Sequence, residues 1–126
     1  MQRTRIESIG VSLPMKRFFR WGSFDHGIKA GKDCLESSNY SARDIEILIK
    51  TGINRDHHLM EPAIAAIFQD KLGINPQFQG RQTFSFDLLN GGCGMLSAAH
   101  VIDTLLRTGT ARVGMALSSE GNLDSR

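Results

Sequence analysis

An apolar run that reads as a strand, Phe84-Ser85-Phe86-Asp87-Leu88-Leu89, leads through the turn Asn90-Gly91-Gly92-Cys93-Gly94 into a helical pattern that stops at Gly109. This order constrains the chain more than any other feature, because a strand feeding a helix through a tight turn is the repeating unit of layered α/β domains. Met95, Ala98, Ala99, Ile102, Leu105 and Leu106 recur at spacings of three and four, and Leu96 and Val101 carry the apolar surface to the flanks. That pattern predicts a helix over 95–108, buried on most sides. Asn-Gly is also the commonest hairpin turn, but a hairpin requires alternation after the turn, and residues beyond Gly94 alternate at helical spacing instead.

The junction carries a thiol. A helix start leaves backbone N–H groups unpaired and concentrates about half a positive charge, which favours a thiolate over a thiol and an oxyanion over a carbonyl. Cys93 therefore reads as a nucleophile, with Gly92, Cys93 and Gly94 forming an oxyanion-stabilising turn. The competing reading is that a free cysteine serves as a small core hydrophobe.

The rest of the chain repeats the strand–helix theme. Residues 5–13, RIESIGVSL, form a β-prone run closed by Pro14, a first strand. Ser23 is a candidate cap for a helix reaching about Ser38, with Phe24, Ile28, Cys34 and Leu35 toward the core and Gly27 and Gly31 lowering its intrinsic stability. Ser41 and Asp44 suit a single capped turn before the strand Ile45–Ile49, which Thr51-Gly52 ends. Glu61-Pro62 opens a helix with the stripe Ile64, Ile67, Phe68 and Leu72, and Gly73 stops it. Val113–Leu117 is short and nearly all apolar, as central parallel strands are. The order βαβαβαβ predicts an α/β layered domain on a mixed, mostly parallel sheet. No helical pattern follows the last strand to cover one sheet face, so residues 1–126 read as an incomplete domain.

A length of 126 residues suffices for one domain with a real core. The net charge of +2 is too small to argue for nucleic acid, although Lys16, Arg17 and Arg20 interleave with Phe18, Phe19 and Trp21 in a basic-aromatic cluster that suits a solvated edge or an anionic, nucleotide-bearing ligand. No apolar run approaches the roughly 20 residues of a membrane span, and no signal-peptide core opens the chain. Cys34 and Cys93, far apart in sequence, suggest free thiols in a reducing cytoplasm. His57 and His58 lack a third spaced ligand, so no metal site is expected. His100 follows Cys93 by two helical turns, about 10 Å, and reads as a core histidine.

Taken in order, RIESIGVSLP, DIEILI, EPAIAAIFQDKLGI, FSFDLLNGGCGM and VGMALSSE resemble the N-terminal half of the ketoacyl-acyl-carrier-protein synthase III group of the thiolase superfamily. The resemblance implies a thiolase-like layered half-domain and a Claisen-type condensing enzyme. An active-site cysteine takes an acyl group from a thioester of coenzyme A or acyl carrier protein, and the acyl-enzyme condenses with a malonyl thioester that loses carbon dioxide. It implies Cys93 as the nucleophile, its backbone N–H as part of the oxyanion hole, Asn90 and Glu61 as substrate-binding residues, acyl thioesters as substrates with no resident cofactor, and a symmetric homodimer. The His and Asn that assist decarboxylation belong to the family's second half.

The family pattern, laid without gaps on Phe86-Asp87, puts Gly92 at the nucleophile position and Cys93 one place later, a rotation of about 100° on a helix. Glu61 stands where the family often has an aromatic or apolar residue, and only MKRFFRWG stands between the first strand and first helix, where the family has a longer coenzyme A-holding stretch. Two other functions fit the same residues: a non-catalytic thiolase-like subunit pairing with a catalytic partner, and an unrelated α/β domain whose glycine turn cradles phosphate.

Overall fold

The computed structural model describes residues 3–14, 21–53, 59, 61–76, 80 and 82–121. Three helices and three strands alternate: α1 (Ser23–Glu36), β1 (Ile47–Thr51), α2 (Ile64–Lys71), β2 (Phe84–Asp87), α3 (Gly94–Arg107) and β3 (Gly114–Ser118), with a one-turn 3-10 helix at Ala42–Asp44. The sheet order is β2-β1-β3 and both pairings are parallel, Ile47 lying opposite Phe84 on one side and Gly114 on the other. Parallel neighbours need crossovers, which α2 and α3 supply.

β1 is buried at all five positions because it has a strand on each edge and helices on both faces. Successive side chains of a strand point to opposite faces. Leu48 therefore joins Ile64, Phe68, Leu72 and Ile74 of the α2 region, together with Met115 and Leu117 of β3. Ile47 and Ile49 meet Ala98 and Ile102 of α3 on the other face. Phe24, Ile28, Cys34 and Leu35 of α1 pack against the first of these clusters, as their spacing predicts. Gly27 and Gly31, which lower helix propensity, are what let α1 come so close. A Cβ on Gly27 would stand 2.5 Å from the Phe68 ring and one on Gly31 2.7 Å from Leu72.

Most predicted elements are present with shifted ends. β1 starts two residues later than Ile45, α1 is capped by Gly22 rather than Ser23, and α2 begins at Ile64, past Pro62. Ser41 caps the short turn as expected, its N–H and hydroxyl both donating to Asp44 at 2.8 Å.

Residues 5–13 are not a strand. Ile6, Ile9, Val11 and Leu13 are 81, 70, 54 and 71% exposed. The segment lies against α1 through polar groups: Ser8 Oγ donates to the Cys34 carbonyl at 2.9 Å, the Val11 N–H to Asp33 at 3.0 Å, and Ser12 meets His26 Nδ1 at 2.8 Å. β propensity expresses a fit to a half-buried pleated surface, and this segment has no ladder partner among the described residues.

α3 follows the Cys93 turn and is buried on its sheet side, at Gly94, Ala98 and Ile102. Its outer side is open, with Leu96 73% exposed, because no layer among the described residues covers it. Burial on most sides was expected; it is one-sided here.

Candidate active site

β2 delivers the turn. The ladder to β1 runs one residue past the strand, Leu88 N–H donating to the Lys50 carbonyl at 2.9 Å, and the chain then reverses at Asn90–Cys93. The Cys93 N–H donates to the Asn90 carbonyl at 3.0 Å and the Gly94 N–H to the Gly91 carbonyl at 3.3 Å. The Cys93 carbonyl accepts the Ser97 N–H at 3.0 Å, which makes Cys93 the N-cap of α3. Gly91 has φ +50°, the left-handed conformation that glycine adopts without strain.

Cys93 is exposed and its thiol is free. Cys93 is thus an exposed residue at the positive end of a 14-residue helix, not a core one. The Cys93 N–H, the expected oxyanion donor, is engaged by the Asn90 carbonyl within the turn, whereas the amides of Met95 and Leu96, next along α3, have no acceptor among the described residues. Gly92 is exposed, and a Cβ there would meet nothing within 4 Å. Gly94 is the reverse case. A Cβ at Gly94 would stand 2.9 Å from Thr51 Cβ, so glycine is what allows α3 to start against the end of β1.

Asn90 is exposed, and its amide donates to Ser97 Oγ at 2.9 Å, bracing the first turn of α3. Glu61 is exposed just before the head of α2 and follows the main chain into a cis bond with Pro62. The structure thus brings Asn90, Gly92, Cys93 and Gly94 into one turn and puts Glu61 on another element. α2 and that turn share one end of the sheet, since each lies beyond the carboxyl end of the strand before it.

A residue that motif reading left without a role joins them. Asp87, the last residue of β2, accepts the Ile64 N–H at 2.8 Å through Oδ2 and the Ala65 N–H at 2.7 Å through Oδ1. Ala63, at the N-cap of α2, offers no side-chain acceptor. The signal was a carboxylate at a strand end ahead of a glycine turn, but its acceptors' donors lie 22 and 23 residues away.

The remaining candidates divide. Cys34 is half-buried, its sulfur 3.3 Å from Ser8 Oγ. His100 is exposed rather than core, since two residues past the buried Ala98 a helix has turned by about 200°. Among the described residues no three His, Cys, Asp or Glu side chains group as metal ligands, and no helix is long and apolar enough to cross a membrane. His57, His58, Lys16, Arg17, Phe18, Phe19 and Arg20 lie outside the described residues; Trp21 packs edge-on to His26 at 5.5 Å.

No family model matches the chain. The beta-ketoacyl-acyl-carrier-protein synthase III of Clostridium perfringens is 30% identical over 119 residues, which cover 94% of this chain and 32% of that relative. The crystal structure of 3-oxoacyl-acyl-carrier-protein synthase III from Aquifex aeolicus superposes with a TM-score of 0.72 at 18% identity, covering 92% of this chain and 44% of that one. Xanthomonas campestris OleA, crystallised with lauric acid and lauroyl-CoA, superposes with a TM-score of 0.70 at 22% identity, over 84% of this chain and 29% of that one. The chain spans about a third of the length of the curated relatives it matches. The shared fold replaces the alternative of an unrelated α/β architecture. With the ketoacyl synthases matching along nearly all of its residues and their fold beneath it, the chain is similar to the ketoacyl-acyl-carrier-protein synthases III and has a thiolase-like fold.

Proposed function

We propose that this chain forms the N-terminal part of a condensing acyltransferase in which Cys93 takes an acyl group from a coenzyme A or acyl-carrier-protein thioester. The observation that supports the reading is the exposed Cys93 at the N-cap of α3, followed by the Met95 and Leu96 amides, which have no acceptor among the described residues. The Cys93 thiol gives its proton to solvent, the thiolate attacks the thioester carbonyl, and the carbonyl pair collapses back to expel the donor as a thiolate, which takes up a proton from solvent, so that one thioester is exchanged for another. Condensation of the acyl-enzyme with a malonyl thioester, with loss of carbon dioxide, draws on the His and Asn of the family's second half. Glu61 at the head of α2 and Asn90 in the turn are the substrate-facing candidates. No resident cofactor is needed for this chemistry, and the working unit is a cytoplasmic homodimer.

A second reading is a non-catalytic subunit that pairs with a catalytic partner. It is favoured by Gly92 standing in the nucleophile register, and by the Cys93 N–H being engaged within the turn.

Intact-mass measurement of the complete protein after incubation with lauroyl-CoA separates the two. The acyltransferase reading predicts one acyl adduct, lost in Cys93→Ala. Undiminished labelling of that variant rules out Cys93 as the acceptor, and no adduct on the unaltered protein favours the second reading. Gly92→Cys in the Cys93→Ala background reports the register, since the space at Gly92 accepts a side chain.

A further inference from the structure

We propose that Asp87 is a positioning residue that couples the head of α2 to the Cys93 turn, so that both sides of the candidate site move as one body. Two facts carry the inference. Asp87 supplies both carboxylate oxygens to consecutive amides, Ile64 and Ala65, at the positive end of a helix whose own N-cap residue, Ala63, supplies none. Charge-assisted bonds of this geometry are among the strongest that a side chain makes. Asp87 is also pinned at its backbone: it lies opposite Lys50 in the β1–β2 register, the next residue continues the ladder, and the turn begins three residues later at Asn90. Any displacement of the head of α2 is therefore transmitted to the stem of the turn. Glu61 and the cis Pro62 lie immediately before the amides that Asp87 holds.

The alternative is that Asp87 merely stabilises α2. An N-cap carboxylate on α2 itself would do that equally well, and Ala63→Asp supplies one, because Ala63 is exposed and stands at the N-cap. Asp87→Asn keeps the shape but replaces one acceptor with an NH2 group facing an N–H donor.

The test compares Asp87→Asn, Ala63→Asp and the double variant in the full-length protein. Amide hydrogen exchange is read at Ile64, Ala65, Cys93 and Gly94, and Cys93 is followed by its acylation with lauroyl-CoA and its alkylation by iodoacetamide. Asp87→Asn is expected to speed exchange at Ile64 and Ala65 by about tenfold, the loss of a charge-assisted bond. Exchange at Cys93 and Gly94 should rise with it. Acylation should slow by a similar factor while alkylation, which needs no second wall, stays within about twofold. Adding Ala63→Asp should restore protection at Ala65 and leave acylation slow. Restored acylation in the double variant, or unchanged exchange at Cys93 and Gly94 in Asp87→Asn, overturns the proposal. The acylation arm rests on the acyltransferase reading; if the unaltered protein takes no acyl group, that reading fails and exchange alone decides the coupling. Should Asp87→Asn not fold, the double variant against Ala63→Asp makes the same comparison.

Discussion

Two apolar, β-prone stretches of this chain have opposite fates. Ile47–Thr51 lies between two strands and two helical layers, with Leu48 and Ile49 0% exposed. Residues 5–13, in which four of nine are Ile, Val or Leu, turn those side chains to solvent and hold α1 through Ser8, Val11 N–H and Ser12. The difference lies in what each run finds on either side of it. β1 has a ladder on both edges, whereas β3, its neighbour, is paired on one edge only among the described residues. Burial and not composition decides which run is a structural member, so the energetic weight of the two should differ widely.

The largest expected effect is in the core on which β1 packs. Phe68 is fully buried against Leu48 and stacks on Phe24 at 5.4 Å, so Phe68→Ala should cost about 3–5 kcal/mol of stability in urea denaturation. Val11→Ser, at 54% exposure, should change stability by less than about 0.5 kcal/mol. A comparable loss at both sites would break the contrast and mean that the N-terminal residues are covered in solution.

A smaller effect sharpens it on α1, the helix that touches both regions. Gly27→Ala gains helix propensity of about 1 kcal/mol, yet its new methyl would press on the Phe68 ring. Overpacking of that kind costs about 1–3 kcal/mol, so a net loss is expected by denaturation. Asp33→Ala, which removes only the acceptor for the Val11 N–H on an exposed face, should cost less than Gly27→Ala. Stabilisation by Gly27→Ala would show that α1 has freedom to move off Phe68.

Much of this arrangement was legible in the residues, for reasons that differ by element. β1, β3 and the stripe Ile64, Phe68, Leu72 were readable because burial, complete in β1 and at Met115 and Leu117 of β3, leaves an apolar run or a helical period. The thiol turn was readable because glycine, asparagine and cysteine sit between a strand pattern and a helix pattern. Asp87 was not, because its donors come from a different element, and no local pattern encodes a cap supplied across 22 residues. Nor was the engagement of the Cys93 N–H by Asn90, which depends on how the turn closes. Lys50 was hidden as well: a lysine 5% exposed inside a central strand is tolerated because its ammonium donates to the Thr51 carbonyl and lies 5.7 Å from the centre of the Phe68 ring. The run 5–13 misled for the converse reason, since its alternation is real but its polar side faces the protein.

The smallest expected effect tests how that N-terminal segment is held. The Glu7 carboxyl lies below its ordinary value, first because the Asn39 amide donates to it at 2.7 Å, with Arg5 adding a 3.0 Å ion pair. Asp103 is lowered likewise, first by the hydroxyl of Thr4 and then by Arg107 at 3.0 Å. A carboxylate whose folded pKa is lowered contributes stability above its unfolded pKa and loses it as pH falls through the folded value. Acidification from neutrality should therefore leave the segment in place through the ordinary carboxylate range and release it only below, while the core is unaffected. Amide exchange at residues 4–12, followed against pH with β1 as internal reference, reads this directly. Asn39→Ala removes the main cause at Glu7, so release at that end should move to higher pH. Release at an unchanged pH in that variant would mean that the bonds of Ser8, Val11 and Ser12 to α1, and not the Glu7 carboxylate, keep the segment in place.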